Sequence, residues 1–330
     1  MKVLITGGAG FLGARLARSL LARAALDGRP IERLVLADLV APPADLRADP
    51  RVQAREGELL AQVQALAQER FDGVFHLASA VSAECEADFE LGLRSNLDTT
   101  RALLDALRHQ GQAPRLVFAS SVAVFGAEPD LPLPAVVRDD TLPLPQSSYG
   151  IQKFVCEQLV ADYTRKGLLD GRSARLMTVA VRPGRPNGAA SGFLSGIVRE
   201  PLAGLDTVCP VAPETAVALA SPASTIAGLI RVYEASREEL GGRSALNLPA
   251  LTVTVAQMLD ALEALAGPEA RARVRFEPDA AVARIVGGWP ARFESARAAR
   301  LGLRSDADFD AVLRQYLADH PQALRVPLRS

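Results

Sequence analysis

The chain has 330 residues, of which 49% are hydrophobic, and this composition excludes a disordered protein. Its 37 basic and 38 acidic residues leave a formal net charge of -1 at pH 7. Without an excess of either sign, the sequence provides no electrostatic basis for holding nucleic acid or an anionic membrane. We therefore expect neither of them among its partners.

The cysteines and the first residues bear on the cellular compartment. Cys85, Cys156 and Cys209 are scattered, odd in number and without metal-ligand spacing, so we expect reduced thiols and no metal site. The apolar start of the chain is interrupted by glycines from Gly7 onwards, which does not fit a secretory leader. No uncharged apolar run is long enough to span a bilayer. These features predict a soluble, cytoplasmic protein.

Apolar runs and helical spacings alternate through the first half of the chain. The runs predict strands at residues 2–6, 34–37, 52–55, 74–77, 116–119 and 177–181. The spacings predict helices at residues 11–26, 59–67, 96–108 and 149–165. The strand segments are continuously apolar, which is typical of a parallel sheet covered on both faces. The predicted fold class is therefore α/β, with a doubly wound parallel (Rossmann) sheet.

Three glycines, each separated from the next by two residues, follow the first predicted strand. Gly7 permits a tight turn, Gly10 lets the backbone approach a diphosphate, and Gly13 lets the next helix lie close to the sheet. Phe11 and Leu12 open that helix, whose N-terminus would offer free N–H groups and a positive dipole to the phosphates. The pattern predicts a dinucleotide site.

Asp38 indicates which dinucleotide is bound. It ends the second predicted strand, where a carboxylate can accept hydrogen bonds from both hydroxyls of the adenosine ribose. The same charge would repel a 2′-phosphate, and Leu39 stands where an arginine would be needed to bind one. A helix cap or turn residue is the alternative interpretation of Asp38. We predict NAD rather than NADP as the cofactor.

The sequence changes in character after the sixth predicted strand. Residues 182–225 are rich in Pro, Gly, Ser and Ala, as in loops. We expect residues 1–182 to form the NAD-binding domain, completed by a strand that returns near residues 245–248. Residues 183–330 are expected to form a smaller, interleaved C-terminal lobe that binds the substrate.

A tyrosine and a lysine four residues apart carry the predicted proton chemistry. Four residues turn a helix through about 400°, so Tyr149 and Lys153 project from one face. The ordinary pKa of a tyrosine, about 10, is too high for a base at neutral pH, and a neighbouring ammonium would lower it. Ser121 follows the fifth predicted strand, where its hydroxyl could orient the substrate oxygen.

These features together resemble the extended short-chain dehydrogenases, a family that includes nucleotide-sugar epimerases and dehydratases. The matching motifs are the glycine loop, His76-Leu77-Ala78-Ser79, Asn96, residues 118–126, Tyr149-x-x-x-Lys153 and Arg182-Pro183. The resemblance implies that Ser121 rather than Ser120 is the catalytic serine, acting with Tyr149 and Lys153. It also implies a catalytic Asn96, which kinks its helix and supports a water near Lys153.

The same resemblance implies a set of cofactor contacts beyond the glycine loop and Asp38. They are Glu58, Leu59, Leu77, Ala78, Ser79, Asn96, Ala119, Tyr149, Lys153 and Pro183. Glu58 stands where the family usually has an aspartate that contacts adenine.

A narrower resemblance links most of the chain to NAD-dependent dehydrogenases that oxidise the C2 hydroxyl of D-erythronate, a four-carbon sugar acid, to a 2-oxo acid. It is carried by residues 86–89, 145–150, 182–187, 199–204, 208–211 and 288–293. It implies substrate contacts from Ser79, Ser121, Tyr149, Arg185 and Asn187, with Arg182 as a further candidate partner of a carboxylate. One departure is Ala216-Val217-Ala218, where Arg and Trp are expected.

Oxidation of a small sugar acid such as D-erythronate is therefore the predicted activity, and two other activities stay open. A ketoreductase or alcohol dehydrogenase for a less polar substrate would fit the missing arginine. A nucleotide-sugar epimerase would use the same residues but retain its cofactor. A non-catalytic binding protein is disfavoured because such proteins usually lose the Tyr149 and Lys153 pair. The resemblance also implies a homodimer, in which the Asn96 and Tyr149 helices pack against their mates.

Overall fold

The computed structural model describes residues 1–184 and 191–328. Its strands are β1 Lys2–Thr6, β2 Ala25–Leu26, β3 Arg29–Pro30, β4 Arg33–Asp38, β5 Val52–Glu56, β6 Gly73–His76, β7 Arg115–Ser121, β8 Val137–Arg138, β9 Asp170–Leu176, β10 Thr178–Val179, β11 Thr207–Cys209, β12 Ala216–Ala220, β13 Leu246–Asn247, β14 Leu251–Thr254, β15 Val274–Phe276 and β16 Phe293–Glu294.

The helices are α1 Phe11–Arg23, α2 Ala44–Arg47, α3 Leu59–Ala67, α4 Ser82–Ala87, α5 Phe89–Gly92, α6 Thr99–Arg108, α7 Ser148–Arg165, α8 Gly192–Leu202, α9 Pro222–Glu234, α10 Arg237–Leu240, α11 Val255–Ala266, α12 Pro268–Ala272, α13 Ala280–Gly287, α14 Ala296–Arg300 and α15 Phe309–Asp319. A π-helical turn at Leu93–Asp98 joins α5 to α6, and 3₁₀ turns lie at Val122–Val124 and Pro321–Ala323.

Within the described residues, the largest sheet has seven parallel strands in the order β13-β9-β7-β6-β1-β4-β5. The chain runs outwards from β1 through β4 to β5 and then returns to β6, on the other side of β1. The strand order therefore reverses beside β1, and the carboxyl ends of β1 and β6 border the crevice in which doubly wound sheets bind ligands. This is the α/β class that the sequence predicts.

Both faces of this sheet are covered, which explains the uninterrupted apolar sequence of its strands. Val3 and Ile5 of β1 pack on one face with side chains of α1 and α9, such as Leu16 and Leu229. Leu4 points to the opposite face and packs with side chains of α6 and α7. Helices therefore support the sheet from both sides.

The predicted sixth strand is wrong. The sequence predicts it at residues 177–181, whereas the main-sheet strand occupies Asp170–Leu176, and Thr178–Val179 belongs to a separate sheet with β12 and β14. The strand is hidden in the sequence because it carries Arg172 and Arg175, which interrupt the apolar run. Both arginines are buried, and each forms an ion pair with a carboxylate.

Two predicted helices differ in extent from those observed. The helix predicted at residues 11–26 ends at Arg23, because Ala24 takes a left-handed conformation with φ 56° and Ala25–Leu26 pairs with β3. The helix predicted at residues 96–108 is regular only from Thr99, and the preceding π turn contains Asn96.

The second half of the chain builds another apolar core. Strands β10, β12 and β14 form a three-stranded sheet whose side chains pack with those of α8, α11 and α15. Strand β13 instead joins the main sheet, parallel to β9. Among the described residues, the helices are too short or too polar to cross a membrane.

Candidate active site

The glycine loop follows β1 at the carboxyl edge of the main sheet. Gly7 has φ +70°, a left-handed conformation that favours glycine. A Cβ on Gly13 would lie 1.9 Å from the Gly7 carbonyl oxygen, so only glycine lets α1 begin this close to the loop. Gly10 is the cap of α1 and has no side chain to bond the first amides of the helix. Those amides and the helix dipole suit a diphosphate.

Asp38 ends β4 beside this loop. One carboxylate oxygen, Oδ2, accepts hydrogen bonds from the main-chain N–H groups of Ala9 at 2.9 Å and Gly10 at 3.1 Å. The other, Oδ1, accepts from the Leu39 N–H at 2.7 Å. In this structure the carboxylate therefore fixes the loop, and the ribose contacts predicted for it would use its remaining lone pairs.

The other predicted cofactor contacts lie along the same edge. Glu58 precedes α3 and its carboxylate lies 3.3 Å from Arg94 Nε, whereas the Leu59 side chain is buried in the core. The N–H groups of Leu77 and Ala78 donate to Thr6 Oγ1 at 3.2 and 3.3 Å, which ties the end of β6 to the end of β1.

The predicted contacts after β10 are described only in part. Pro183 is half-buried and stands at the edge of the described residues. Arg185 and Asn187, both predicted to bind substrate, lie outside the described residues.

Tyr149 and Lys153 lie in the first turns of α7, which is capped by the Ser147 hydroxyl. The Lys153 ammonium is buried, with its Nζ 5.5 Å from the centre of the Tyr149 ring and 4.9 Å from that of Phe118. It donates a hydrogen bond of 2.9 Å to the Ala119 carbonyl. The pair thus faces the end of β7, where the sequence predicts the catalytic serine.

Ser120 and Ser121 have different environments. Ser120 is 2% exposed and donates to Glu157 Oε1, so its hydroxyl is directed into the core. Ser121 is half-buried and accepts a hydrogen bond of 3.1 Å from the Ala123 N–H, and its hydroxyl lowers the pKa of the Tyr149 phenol. Of the two hydroxyls, that of Ser121 lies with Tyr149 and Lys153.

Burial and charge oppose each other at this cluster. Burial raises the pKa of Tyr149 to about 12, while the Ser121 hydroxyl and the Arg182 charge lower it. Burial also lowers the pKa of Lys153 to about 8. The Arg182 charge thus favours the phenolate, which is the effect that the sequence predicts for Lys153. Without cofactor or substrate, the Tyr149 phenol is therefore protonated at neutral pH.

Asn96 connects the π turn to two elements of the site. Its side chain is buried, with Oδ1 accepting from the Ala80 N–H at 2.8 Å and the Ser79 hydroxyl at 2.9 Å. Its Nδ2 donates to Gln152 Oε1 at 2.8 Å, next to Lys153. The structure thus joins the predicted residues Ser79 and Asn96 to the helix that carries Tyr149.

A buried chain of hydrogen bonds lies next to the site and is not apparent from the sequence. Thr6 Oγ1 lies 2.6 Å from His76 Nδ1, and His76 Nε2 lies 2.9 Å from Thr100 Oγ1, which donates to the Asn96 carbonyl at 2.5 Å. Because a carbonyl only accepts, the hydroxyl hydrogen of Thr100 is used in the bond to Asn96, and Thr100 Oγ1 must accept from His76 Nε2. His76 Nδ1 then carries no hydrogen, so Thr6 must donate to His76 Nδ1. Burial and the Lys153 charge lower the pKa of His76 to about 3. The one signal available is the polar His76 within an apolar strand.

The glycine loop and the cluster of Ser121, Tyr149 and Lys153 define a dinucleotide-dependent enzyme with a doubly wound fold. A model of the NAD dependent epimerase/dehydratase family matches residues 3–214, and the chain belongs to this family.

Two characterised relatives align with nearly the whole chain. It is 51% identical over 327 residues to D-erythronate dehydrogenase of Cupriavidus necator, covering 97% of this chain and 98% of the relative. It is 42% identical over 319 residues to D-erythronate dehydrogenase of Haemophilus influenzae, covering 96% and 99%. A crystal structure described as a nucleoside-diphosphate-sugar epimerase from Agrobacterium tumefaciens matches with a TM-score of 0.91 and 40% identity, covering 98% and 95%.

Proposed function

We propose that the protein is an NAD-dependent dehydrogenase that oxidises the C2 hydroxyl of a small sugar acid such as D-erythronate to the 2-oxo acid. The observation that carries this proposal is the cluster of Ser121, Tyr149 and Lys153, with the Arg182 charge acting on the phenol. The full-length similarity to two D-erythronate dehydrogenases supports the same substrate class.

Each residue of the cluster has a distinct role in this proposal. The Tyr149 phenolate takes the proton of the C2 hydroxyl, and the Ser121 hydroxyl orients that oxygen. Lys153, whose position is fixed by its hydrogen bond to the Ala119 carbonyl, would hold the phenolate and the nicotinamide ribose. When bound, NAD would supply the acceptor for the hydride, that is the C2 hydrogen with its two electrons. Asn96 supports a water near Lys153.

Arg182 is the proposed partner of the substrate carboxylate. In a 2-hydroxy acid the carboxylate is bonded to the reacting carbon, so its partner must lie beside Tyr149. The Arg182 charge lowers the pKa of Tyr149. Burial lowers the pKa of Arg182 itself, and the Tyr149 phenolate partly opposes that effect. In this proposal the guanidinium binds the carboxylate while the phenol binds the hydroxyl. Arg185 and Asn187 are the further proposed partners.

The substrate assignment is tested with a panel of three- to six-carbon 2-hydroxy acids and neutral alcohols. NAD is added to each, and the appearance of NADH is followed by its absorbance. We expect D-erythronate and similar acids to be oxidised with the highest kcat/KM. A preference for neutral alcohols would contradict the sugar-acid proposal and favour a dehydrogenase for less polar substrates. Ala216-Val217-Ala218, which lacks the expected arginine, is the observation that favours that alternative.

An epimerase of nucleotide sugars is the other alternative, which the similarity to the Agrobacterium structure favours. An epimerase would regenerate its cofactor in each cycle and release no NADH. Conversion of a nucleotide sugar without release of NADH, and without activity on 2-hydroxy acids, would establish it in place of the dehydrogenase.

In this proposal, Asp38 and Leu39 make the enzyme prefer NAD to NADP. The Asp38 charge would repel a 2′-phosphate, and Leu39 offers nothing to neutralise it. Replacing Asp38 by Ser together with Leu39→Arg should raise kcat/KM with NADP at least about tenfold relative to NAD. The single variant Leu39→Arg is the control, because it adds the cation but keeps the repelling carboxylate. An unchanged preference in the double variant would contradict this assignment.

We also propose that residues 183–330 form the substrate-binding lobe of a cytoplasmic homodimer. Ile151 and Val155 lie on one face of α7 and are 51% and 37% exposed, and Phe89 of the neighbouring α5 is 58% exposed. An apolar face of this kind suits a second copy of the chain. Light scattering should give the mass of a dimer, and Ile151→Glu should give that of a monomer. Leu142→Glu, at a residue outside α7 that is 61% exposed, should remain dimeric.

A further inference from the structure

Gln152 is a buried glutamine of α7, 2% exposed, and it directly precedes Lys153. The orientation of its amide follows from that of Asn96. The Ala80 N–H can only donate, so the Asn96 atom 2.8 Å from it is the oxygen, and Asn96 Nδ2 is a donor. Gln152 Oε1 accepts from this Nδ2 at 2.8 Å. Among the described residues, this is the one hydrogen bond of the Gln152 side chain.

Gly92 provides the space that the Gln152 amide occupies. A Cβ on Gly92 would lie 2.6 Å from Gln152 Nε2 and 3.2 Å from Oε1, so the amide would have to move. Gly92 ends α5 with φ -58° and ψ -50°, a helical conformation in which alanine is more stable than glycine. The backbone therefore does not require glycine at this position, whereas the neighbouring amide does.

The hydrogen bond from Asn96 to Gln152 joins two sides of the site. On one side, Asn96 Oδ1 accepts from the Ser79 hydroxyl and the Ala80 N–H, which follow β6 at the carboxyl edge of the sheet. On the other side, Gln152 lies on the helix that carries the proton-transfer pair, next to Lys153. Among the described residues, this bond is the direct connection of the Asn96 side chain to α7.

We propose that Gln152 is a positioning residue for the reaction. Its amide oxygen fixes Asn96 and the end of β6 relative to Tyr149 and Lys153, and Gly92 leaves room for it. The inference rests on the proposed hydride transfer at this site, in which the reacting carbon must lie at a set distance from the phenol. A misplacement of about 1 Å lowers the rate of such a step by up to about 100-fold.

A double-variant cycle with Gln152→Ala and Gly92→Ala tests this role. We expect Gln152→Ala to lower kcat about tenfold to 100-fold, with the KM for substrate and the affinity for NADH within about threefold. Gly92→Ala should lower kcat similarly, because its methyl group displaces the amide even though alanine favours the helix. In the double variant the methyl group no longer meets Gln152, so kcat should lie within about threefold of that of Gln152→Ala. The milder contact of the added carbon with Cys85 Cβ, at 3.2 Å, is the same in both backgrounds.

Gln110→Ala is the matched control, because Gln110 is also a buried glutamine but lies near the amino end of β6. Its Nε2 donates to the Glu69 carbonyl at 2.6 Å, and its Oε1 accepts from the Phe71 N–H at 3.3 Å. This variant should lower the midpoint of thermal unfolding and leave kcat within about twofold of the unaltered enzyme. It therefore separates a loss of stability from a loss of position.

Different outcomes would contradict the inference and the proposed function. If Gly92→Ala lowers kcat by the same factor with and without the Gln152 side chain, its effect does not pass through Gln152 and the inference is wrong. A Gln152→Ala variant that loses stability but keeps kcat, or that loses only affinity for NADH, would also overturn it. If the unaltered enzyme converts a nucleotide sugar and no 2-hydroxy acid, the proposed function is wrong. The same cycle then tests Gln152 on that reaction, which uses the same Tyr149 and Lys153 pair.

Discussion

Arg175 and Glu157 form a two-point ion pair inside the protein, with Nη2 2.7 Å from Oε2 and Nε 2.9 Å from Oε1. The two residues are 5% and 2% exposed. Glu157 also accepts from Ser120, so one carboxylate ties α7 to both β9 and β7. Because α7 carries Tyr149, this pair helps to hold the phenol against the strand end.

Removing one partner of this pair should destabilise the fold strongly. Arg175→Met would leave the Glu157 charge buried without its cation, and we expect the free energy of unfolding to fall by about 3–5 kcal/mol. The double variant Arg175→Met with Glu157→Leu should recover part of this loss. Urea denaturation measures the loss in the single variant and the recovery in the double variant. Arg138→Met, which breaks a pair that is about 60% exposed on each side, is the control and should cost less than about 1 kcal/mol. Equal losses in the two single variants would contradict the importance of burial here.

Tyr149→Phe should remove the proposed proton acceptor and leave the proposed nucleotide site intact. We expect kcat to fall by about 100-fold to 10,000-fold, with the affinity for NADH, measured by fluorescence, within about twofold of the unaltered enzyme. Tyr163→Phe is the matched control. Tyr163 lies on the same helix but away from the site, and its hydroxyl donates a hydrogen bond of 2.6 Å to Asp105 Oδ1. Substantial turnover by the Tyr149 variant would show that another group takes the proton.

Gly13→Ala should prevent the close approach of α1 to the loop. Its Cβ would lie 1.9 Å from the Gly7 carbonyl oxygen, a distance that requires the backbone to move. We expect the affinity for NADH to fall at least about tenfold, together with a lower midpoint of thermal unfolding. Gly287→Ala, at the end of α13 where a Cβ meets open space, should bind NADH normally and gain up to about 1 kcal/mol of stability. Normal binding by the Gly13 variant would argue against the loop as the diphosphate site.

The pH dependence of oxidation should respond to Arg182. Burial raises the pKa of Tyr149 to about 12 and the Arg182 charge lowers it, so oxidation, which needs the phenolate, should accelerate as the pH rises. Arg182→Met removes that charge and should shift the rising limb of kcat to higher pH by about one unit. Arg182→Lys keeps a cation and should restore most of the shift. If kcat rises over the same pH range in the unaltered enzyme and the Arg182→Met variant, the Arg182 charge does not act on Tyr149.

Local signals were sufficient to predict much of the fold and the position of the glycine loop. The predicted helix at residues 59–67 coincides with α3, and Gly7, Gly10 and Gly13 lie between strand and helix as their spacing requires. These features depend on residues that are neighbours in sequence. Backbone constraints of this kind can be inferred without knowing the rest of the structure.

The features that the sequence does not reveal depend on partners far apart along the chain. Strand β9 contains two arginines whose burial is possible only because carboxylates face them. The chain from Thr6 to His76 joins residues 70 positions apart, and the bond from Asn96 to Gln152 spans 56. A sequence pattern can show that a polar residue interrupts an apolar strand. It does not identify the distant group that forms the hydrogen bond or ion pair with that residue.

The neutral His76 has a consequence for the way the molecule responds to acid. Since both ring nitrogens are engaged and the charged form is disfavoured down to a pKa of about 3, the imidazole keeps one tautomer through mildly acidic media. Histidines usually change charge between about pH 5 and 8, yet this one will not. The spacing between the glycine loop and the Asn96 carbonyl should thus stay the same as the pH falls from about 8 to 5.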